Sequence, residues 1–288
     1  MRTPAKVAES GESVVRPGVE DLGPRLLSAI ALIPLALGAA VAGGAWLAGA
    51  TGAAVVAMSW EWASMSRPER PMPAFWTTLA GALGAVMLAS LGWIAWALAW
   101  SGALATAAAA WPAAAPLRRR EAFLGVLYIA LPCVAFLWIR ALPNGGLAIT
   151  VGLFAIIWAA DGAAYFAGRL VGGPRLLPQL SAQKTVAGLA AALAAGALAG
   201  AGYGGLLGRH AWPWWAAAGL GLAACGMAGD LFESFLKRRF GVKDASQLIP
   251  GHGGVLDRLD GLMAATVAAA ALLAAWPGAG RALLEGAP

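Results

Sequence analysis

The chain has 288 residues, of which 60% are hydrophobic and only 12% charged, and its mean hydropathy is +0.72. A soluble domain carries about 25% charged residues, so the shortage excludes a water-soluble globule and directs the reading to a bilayer. The formal charge of +6 would suggest nucleic acid if a polar domain existed to carry it; none does, and basic loops of a membrane protein explain the charge.

Residues 1–24 mix charge, Gly, Pro and Ser without periodicity and are expected to form a flexible cytoplasmic arm. Ala40-Val41-Ala42 resembles a signal-peptidase site. The preceding polar arm is long for a signal sequence, however, so a retained helix is expected. A spanning helix needs about 20 apolar residues. Segments that approach this are 26–42, 44–63, 75–91, 93–111, 122–139, 146–168, 185–203, 212–236 and 255–276. The fold class is therefore an all-α integral membrane protein with about nine transmembrane helices and a cytoplasmic N-terminus. Three parts are expected: the arm 1–24, N-terminal membrane helices over 25–140, and C-terminal catalytic helices over 141–288.

Loop charge supports that orientation. With nine crossings, all Lys and Arg except Arg140, Arg209 and Arg281 fall on the cytoplasmic side, as the positive-inside rule requires. Gly- and Ala-rich runs such as 187–200 suit close helix packing. Trp60, Trp62, Trp76, Trp111, Trp138, Trp212, Trp214 and Trp215 fall near predicted helix ends and are expected to be interfacial anchors. Cys133 and Cys225 lie in apolar runs with no CxxC spacing, which argues against a disulfide or zinc site.

Acidic residues are scarce and gather between Asp230 and Asp260, with Asp161 near another helix end. A charge at bilayer depth costs at least about 2.5 kcal/mol on insertion scales and usually lines a polar cavity. Asp230, Ser234 and Lys237 share a helix face, as do Asp257 and Asp260. Lys237, Arg238 and Arg239 mark a cytoplasmic helix end. Between these helices, Lys243, Asp244 and Gly251-His252-Gly253-Gly254 form a polar re-entry whose glycines permit tight turns and approach to phosphate. Carboxylates with lysines and a Gly-rich turn suit a Mg²⁺–nucleotide site. No GxxxxGK[ST] loop is present, so a P-loop NTPase is unsupported. Upstream, Asp161, Tyr165 and Gly168 share a face and Arg169 follows. Ser181, Lys184 and Thr185 open the next helix, where side chains and free N–H groups can meet phosphate.

The run Ser234, Lys237, Arg238, Lys243, Asp244, Ser246, Ile249-Pro250-Gly251-His252-Gly253-Gly254, Asp257-Arg258-Leu259-Asp260 resembles the signature of the phosphatidate cytidylyltransferase family. Asp161, Tyr165, Gly168 and Arg169 extend the resemblance, as does Trp60-Glu61-Trp62 at the end of an early helix. The stretch Ser181 to Gly188 is similar to the family's Ser-Pro-x-Lys-Thr-x-Glu-Gly, with Ala182 and Ala187 in place of Pro and Glu.

The resemblance implies cytidylyl transfer from CTP to phosphatidic acid in the bacterial inner membrane, in an all-helical homodimer whose site faces the cytoplasm. It further implies Mg²⁺ on Asp230, Asp257 and Asp260, and a monovalent cation, K⁺, that can share the site. Asp230, Lys237, Arg238, Lys243, Asp244, Asp257, Arg258 and Asp260 are then the catalytic candidates. Asp161, Tyr165, Arg169, Ser181, Lys184, Thr185, Ser234, His252, Gly253 and Gly254 are the substrate-binding candidates. Three alternatives stay open: a different lipid phosphate as acceptor, a proton-coupled transporter, and a relative disabled by the loss of Glu at position 187.

Overall fold

A computed structural model describes residues 22–110, 116–181, 183–208, 210–246, 248, 253–276 and 278–286. The N-terminal arm up to residue 21, Ala182 and His252 therefore lie outside the described residues. The described chain forms ten helices: α1 (Leu22–Ala42), α2 (Gly44–Ser66), α3 (Pro71–Ser90), α4 (Ile94–Ala110), α5 (Pro116–Ala141), α6 (Gly146–Leu170), α7 (Val186–Leu207), α8 (Trp212–Arg239), α9 (Leu256–Ala275) and the short α10 (Ala279–Glu285). No strand occurs among the described residues; an antiparallel bridge pairs Arg175 with Thr185.

The nine long helices coincide with the nine apolar segments, because both are set by the length of uninterrupted apolar sequence. Six of them, α3 and α5 to α9, are long and apolar enough to cross a membrane, which marks a multi-pass membrane protein. The outward faces of these helices are apolar: Trp76, Met87, Phe166, Leu198 and Leu206 are all exposed, as lipid contact demands.

Two apolar cores organise the bundle. The first joins α2, α3 and α5 to the α8–α9 region through Val55, Met58, Trp62, Val86, Ile129, Leu236, Leu256 and Met263. The second joins α5, α6, α8, α9 and α10 through Ile139, Leu153, Ile156, Trp215, Ala265 and Leu283. Two of the tryptophans expected at the interface are core residues instead. Trp62 and Trp215 are each 1% exposed. Trp62 packs against Tyr128 and Phe240, and the Trp215 indole N–H donates to the Leu283 carbonyl at 2.6 Å. A single polar atom, once satisfied, lets so large an apolar ring leave the interface. Trp60, Trp76 and Trp212 are exposed, as expected.

The α7–α8 pair shows why glycine is abundant. Gly188, Ala192, Gly196, Gly200 and Gly204 form a buried stripe along α7. A Cβ on Gly219 of α8 would strike the Gly196 carbonyl, and one on Gly196 would strike the Gly219 carbonyl. The two backbones therefore touch, the arrangement small residues permit in lipid.

Candidate active site

The centre of the site is the crossing of α8 and α9. Gly226 and Gly229 on α8 face Gly261 and the Asp260 carbonyl on α9, and this lack of side chains brings the two helices close. Asp230, Glu233 and Lys237 follow on one face of α8, while Asp257 and Asp260 lie in the first turns of α9. Carboxylate oxygens of Asp230, Glu233 and Asp260 come within 4.8 Å of one another. Glu233 is 1% exposed, and its Oε1 has no hydrogen-bond partner.

Two lysines border this acidic group. Lys237 Nζ lies 2.9 Å from Glu233 Oε2 and 2.6 Å from Asp257 Oδ1, with side chains of both partners almost wholly buried. Lys184 Nζ lies 2.5 Å from Asp230 Oδ1. The loop before α7 delivers Lys184: the Leu176 N–H donates to the Lys184 carbonyl at 2.8 Å and the Val186 N–H to the Pro174 carbonyl at 2.9 Å. Thr185 then caps α7 by accepting from the Gly188 N–H at 3.0 Å, a common N-cap arrangement. Arg238 reaches back to the same loop, donating to the Leu180 carbonyl at 3.4 Å.

Asp257 acts as a hub at the start of α9. Its Oδ2 accepts from the Gly254 N–H at 2.8 Å and the Ala245 N–H at 3.1 Å, while Oδ1 takes the Lys237 ammonium. The polar re-entry is thereby tied to its own helix. Gly253 has φ +79°, a left-handed conformation suited to glycine. A Cβ on Gly254 would sit 2.9 Å from Glu61 Oε1 and 3.0 Å from Asp257 Oδ2.

The structure thus brings together Asp230, Lys237, Asp257, Asp260 and Lys184 from the expected set. Asp161 lies within electrostatic range of Asp230, Lys184 and Arg258. Tyr165 and Arg169 pair along α6, the guanidinium donating to the phenol oxygen at 3.3 Å. Ser181 and Ser234 are half-buried, whereas Lys243, Asp244 and Arg258 are exposed. The three mutually close carboxylates include Glu233, while Asp257 is joined to them through Lys237.

Sequence reasoning passed over Glu233 and gave Glu61 no role. Glu233 was detectable as an acid one helical turn before Lys237 and three residues after Asp230. Glu61, fully buried on α2, contacts residues nearly two hundred positions away, a separation no local pattern reports.

An all-oxygen group of carboxylates with an unpartnered buried oxygen fits a hard divalent cation, so Asp230, Glu233 and Asp260 could hold a metal ion. Asp230, Glu233, Asp257 and Asp260 bring four carboxylates against two lysine ammoniums, an acidic excess of two if all are ionised.

Comparison with known proteins places this arrangement. The model of a family described as "Cytidylyltransferase family" matches residues 24–276. The phosphatidate cytidylyltransferase of Brucella suis is 40% identical over 166 residues, which cover 57% of this chain and 55% of the relative; the match spans about half the length of that protein. The phosphatidate cytidylyltransferase of Haemophilus influenzae is 33% identical over 275 residues, covering 85% of this chain and 96% of the relative. That of Pseudomonas aeruginosa is 34% identical over 280 residues, covering 88% and 97%. The matched residues run through every helix from α2 to α9 and include the whole acidic crossing, and the chain belongs to the cytidylyltransferase family.

Proposed function

We propose that the protein transfers the cytidylyl group of CTP to phosphatidic acid, forming CDP-diacylglycerol and pyrophosphate for phospholipid synthesis. The observation that carries this reading is the lysine-bordered carboxylate group at the α8–α9 crossing. It supplies oxygen donors for a cation and ammonium groups for phosphates within helices that belong in lipid. The names of the full-length relatives from Haemophilus influenzae and Pseudomonas aeruginosa support the choice of substrate.

In this reading a phosphate oxygen of phosphatidate attacks the α-phosphorus of CTP, and the bond to pyrophosphate breaks. The nucleophile is already anionic, so no covalent enzyme intermediate is needed and catalysis is mainly positioning and charge neutralisation. Asp230 and Asp260, with Glu233 beside them and Asp257 adjoining through Lys237, are the residues that would hold Mg²⁺, which supplies Lewis-acid neutralisation of phosphate charge. Lys184, paired with Asp230, and Lys237, paired with Glu233 and Asp257, orient phosphates beside the acidic group. Asp257 fixes Lys237 and keeps its ammonium from wandering. Exposed Arg258 and Lys243 face incoming anions. A K⁺ ion at the same site, a homodimer, nine crossings with a cytoplasmic N-terminus, an inner-membrane location and the division at residue 140 belong to the same proposal.

The test is incubation of the detergent-solubilised protein with labelled CTP, phosphatidic acid and Mg²⁺. Label in the lipid phase is expected. Transfer confined to an ether-lipid phosphate would overturn the acceptor assignment, and no transfer to either lipid would overturn the activity.

A further inference from the structure

Glu61 is 0% exposed in the apolar helix α2. A buried carboxylate is tolerated when its oxygens are fully hydrogen-bonded, and the donors here all come from the opposite end of the chain. Glu61 Oε1 accepts from the Ser246 hydroxyl at 2.6 Å and the Val255 N–H at 2.8 Å; Oε2 accepts from the Leu256 N–H at 2.8 Å. The two amides are free donors at the start of α9, where the helix dipole favours negative charge. Asp257 takes the preceding amide, Gly254 N–H. Three successive N–H groups are thus divided between two carboxylates, one local and one delivered by α2. Those amides face protein acids and not phosphate.

Glu61 is itself held firmly. Its neighbour Trp62 packs on Tyr128 and Phe240, and Tyr128 in turn packs on Phe232, next to Glu233. Ser246 adds a further tie, because its hydroxyl oxygen also accepts from the Leu248 N–H at 3.1 Å.

From this geometry we infer that Glu61 is a positioning residue of the catalytic centre: it clamps the start of α9 and the re-entrant turn to α2, and so sets where Asp257 and Asp260 meet Lys237, Asp230 and Glu233. Among the described residues its carboxylate accepts from the Ser246 hydroxyl and the Val255 and Leu256 amides, so it acts through α9 and not on a substrate. The inference rests on the reading that the acidic group holds a divalent cation.

The test compares wild type with Glu61→Gln and Glu61→Ala, each purified in detergent and assayed well below its melting temperature. Gln keeps the shape but turns an amide NH₂ toward a backbone N–H. Three quantities are measured: hydrogen exchange at Val255 and Leu256, the midpoint of a Mn²⁺ titration followed by electron paramagnetic resonance, and cytidylyl transfer. Faster exchange at both amides is expected, with the Mn²⁺ midpoint raised about 10- to 100-fold, as for loss of a group supporting metal ligands, and turnover reduced with little change in the KM for CTP. Faster exchange with unchanged Mn²⁺ midpoint and turnover would reduce Glu61 to a helix cap and overturn the proposal. Failure of both variants to fold would do the same, by making the residue a general structural one. A wild-type chain that binds Mn²⁺ but transfers no cytidylyl group would defeat the proposed activity, and the Mn²⁺ midpoint would still decide the role of Glu61. A wild-type chain that binds no Mn²⁺ would overturn the inference.

Discussion

Lys237 of α8 and Asp257 of α9 form a direct polar link across the helix crossing, with Nζ 2.6 Å from Oδ1. The same ammonium holds Glu233, and the same carboxylate holds the amides of Ala245 and Gly254. The pair therefore couples the acidic group to the turn that precedes α9. Asp257→Asn removes the charge that fixes Lys237 and turns one donor-bearing atom toward existing donors. Cytidylyl transfer is expected to fall at least about 100-fold, since the buried Lys237 is then left with Glu233 alone and loses its charged tie to the turn before α9. Turnover with labelled CTP, alongside a melting curve to show that the protein remains folded, checks this.

Glu233 offers a buried oxygen with no protein donor. Glu233→Gln lowers the charge of the group and should weaken Mn²⁺ binding by about ten-fold or more, because ligand charge tunes affinity at hard-cation sites. Chelation of divalent ions should abolish transfer, and added Mg²⁺ should restore it. Activity that persists in excess chelator would remove the divalent cation from the reaction.

Among the described residues, Lys184 is attached to the site through its ion pair with Asp230. If its task is to meet a CTP phosphate, Lys184→Met should raise the KM for CTP about ten-fold or more, with a smaller effect on turnover at saturation. Steady-state kinetics in CTP, at fixed lipid, separate the two parameters. A drop in turnover with unchanged KM would place Lys184 in the chemical step.

Gly219 lies against the backbone of Gly196. Gly219→Val forces α7 and α8 apart and should cost about 1–3 kcal/mol. A lower melting temperature in detergent is the readout. The loss should exceed that of Gly221→Val on the same helix, since a Cβ at Gly221 meets nothing within 4 Å.

Much of this architecture was legible in the amino-acid order. Long apolar runs broken by Gly, Pro or charge coincide with α1 to α9, six of which are long and apolar enough to cross a membrane. The polar signature was legible for a related reason: Asp230, Lys237, Asp257 and Asp260 stand out against an apolar background. Periodicity could not show how those residues share partners. Asp257 reads as a simple ligand candidate until the amides of Ala245 and Gly254 are seen on its carboxylate. Trp62 and Trp215 look like interfacial anchors from their positions near helix ends, and only the packing of Tyr128, Phe240 and Tyr203 around them reveals core residues. The number of crossings is equally hard to read, since apolar length alone does not separate a helix in lipid from one sheltered by its neighbours.

The seam where α7 and α8 touch backbone to backbone has a mechanical consequence. Helices separated by long side chains can slide as rotamers change, but two bare backbones in contact have no such cushion. The pair behaves as one stiff panel. Asp230 is mounted on that panel within α8, and Lys184, just ahead of α7, reaches it through a side-chain ion pair. A displacement of α7 would then be passed to Asp230 on α8 as a rigid shift, not absorbed along the way.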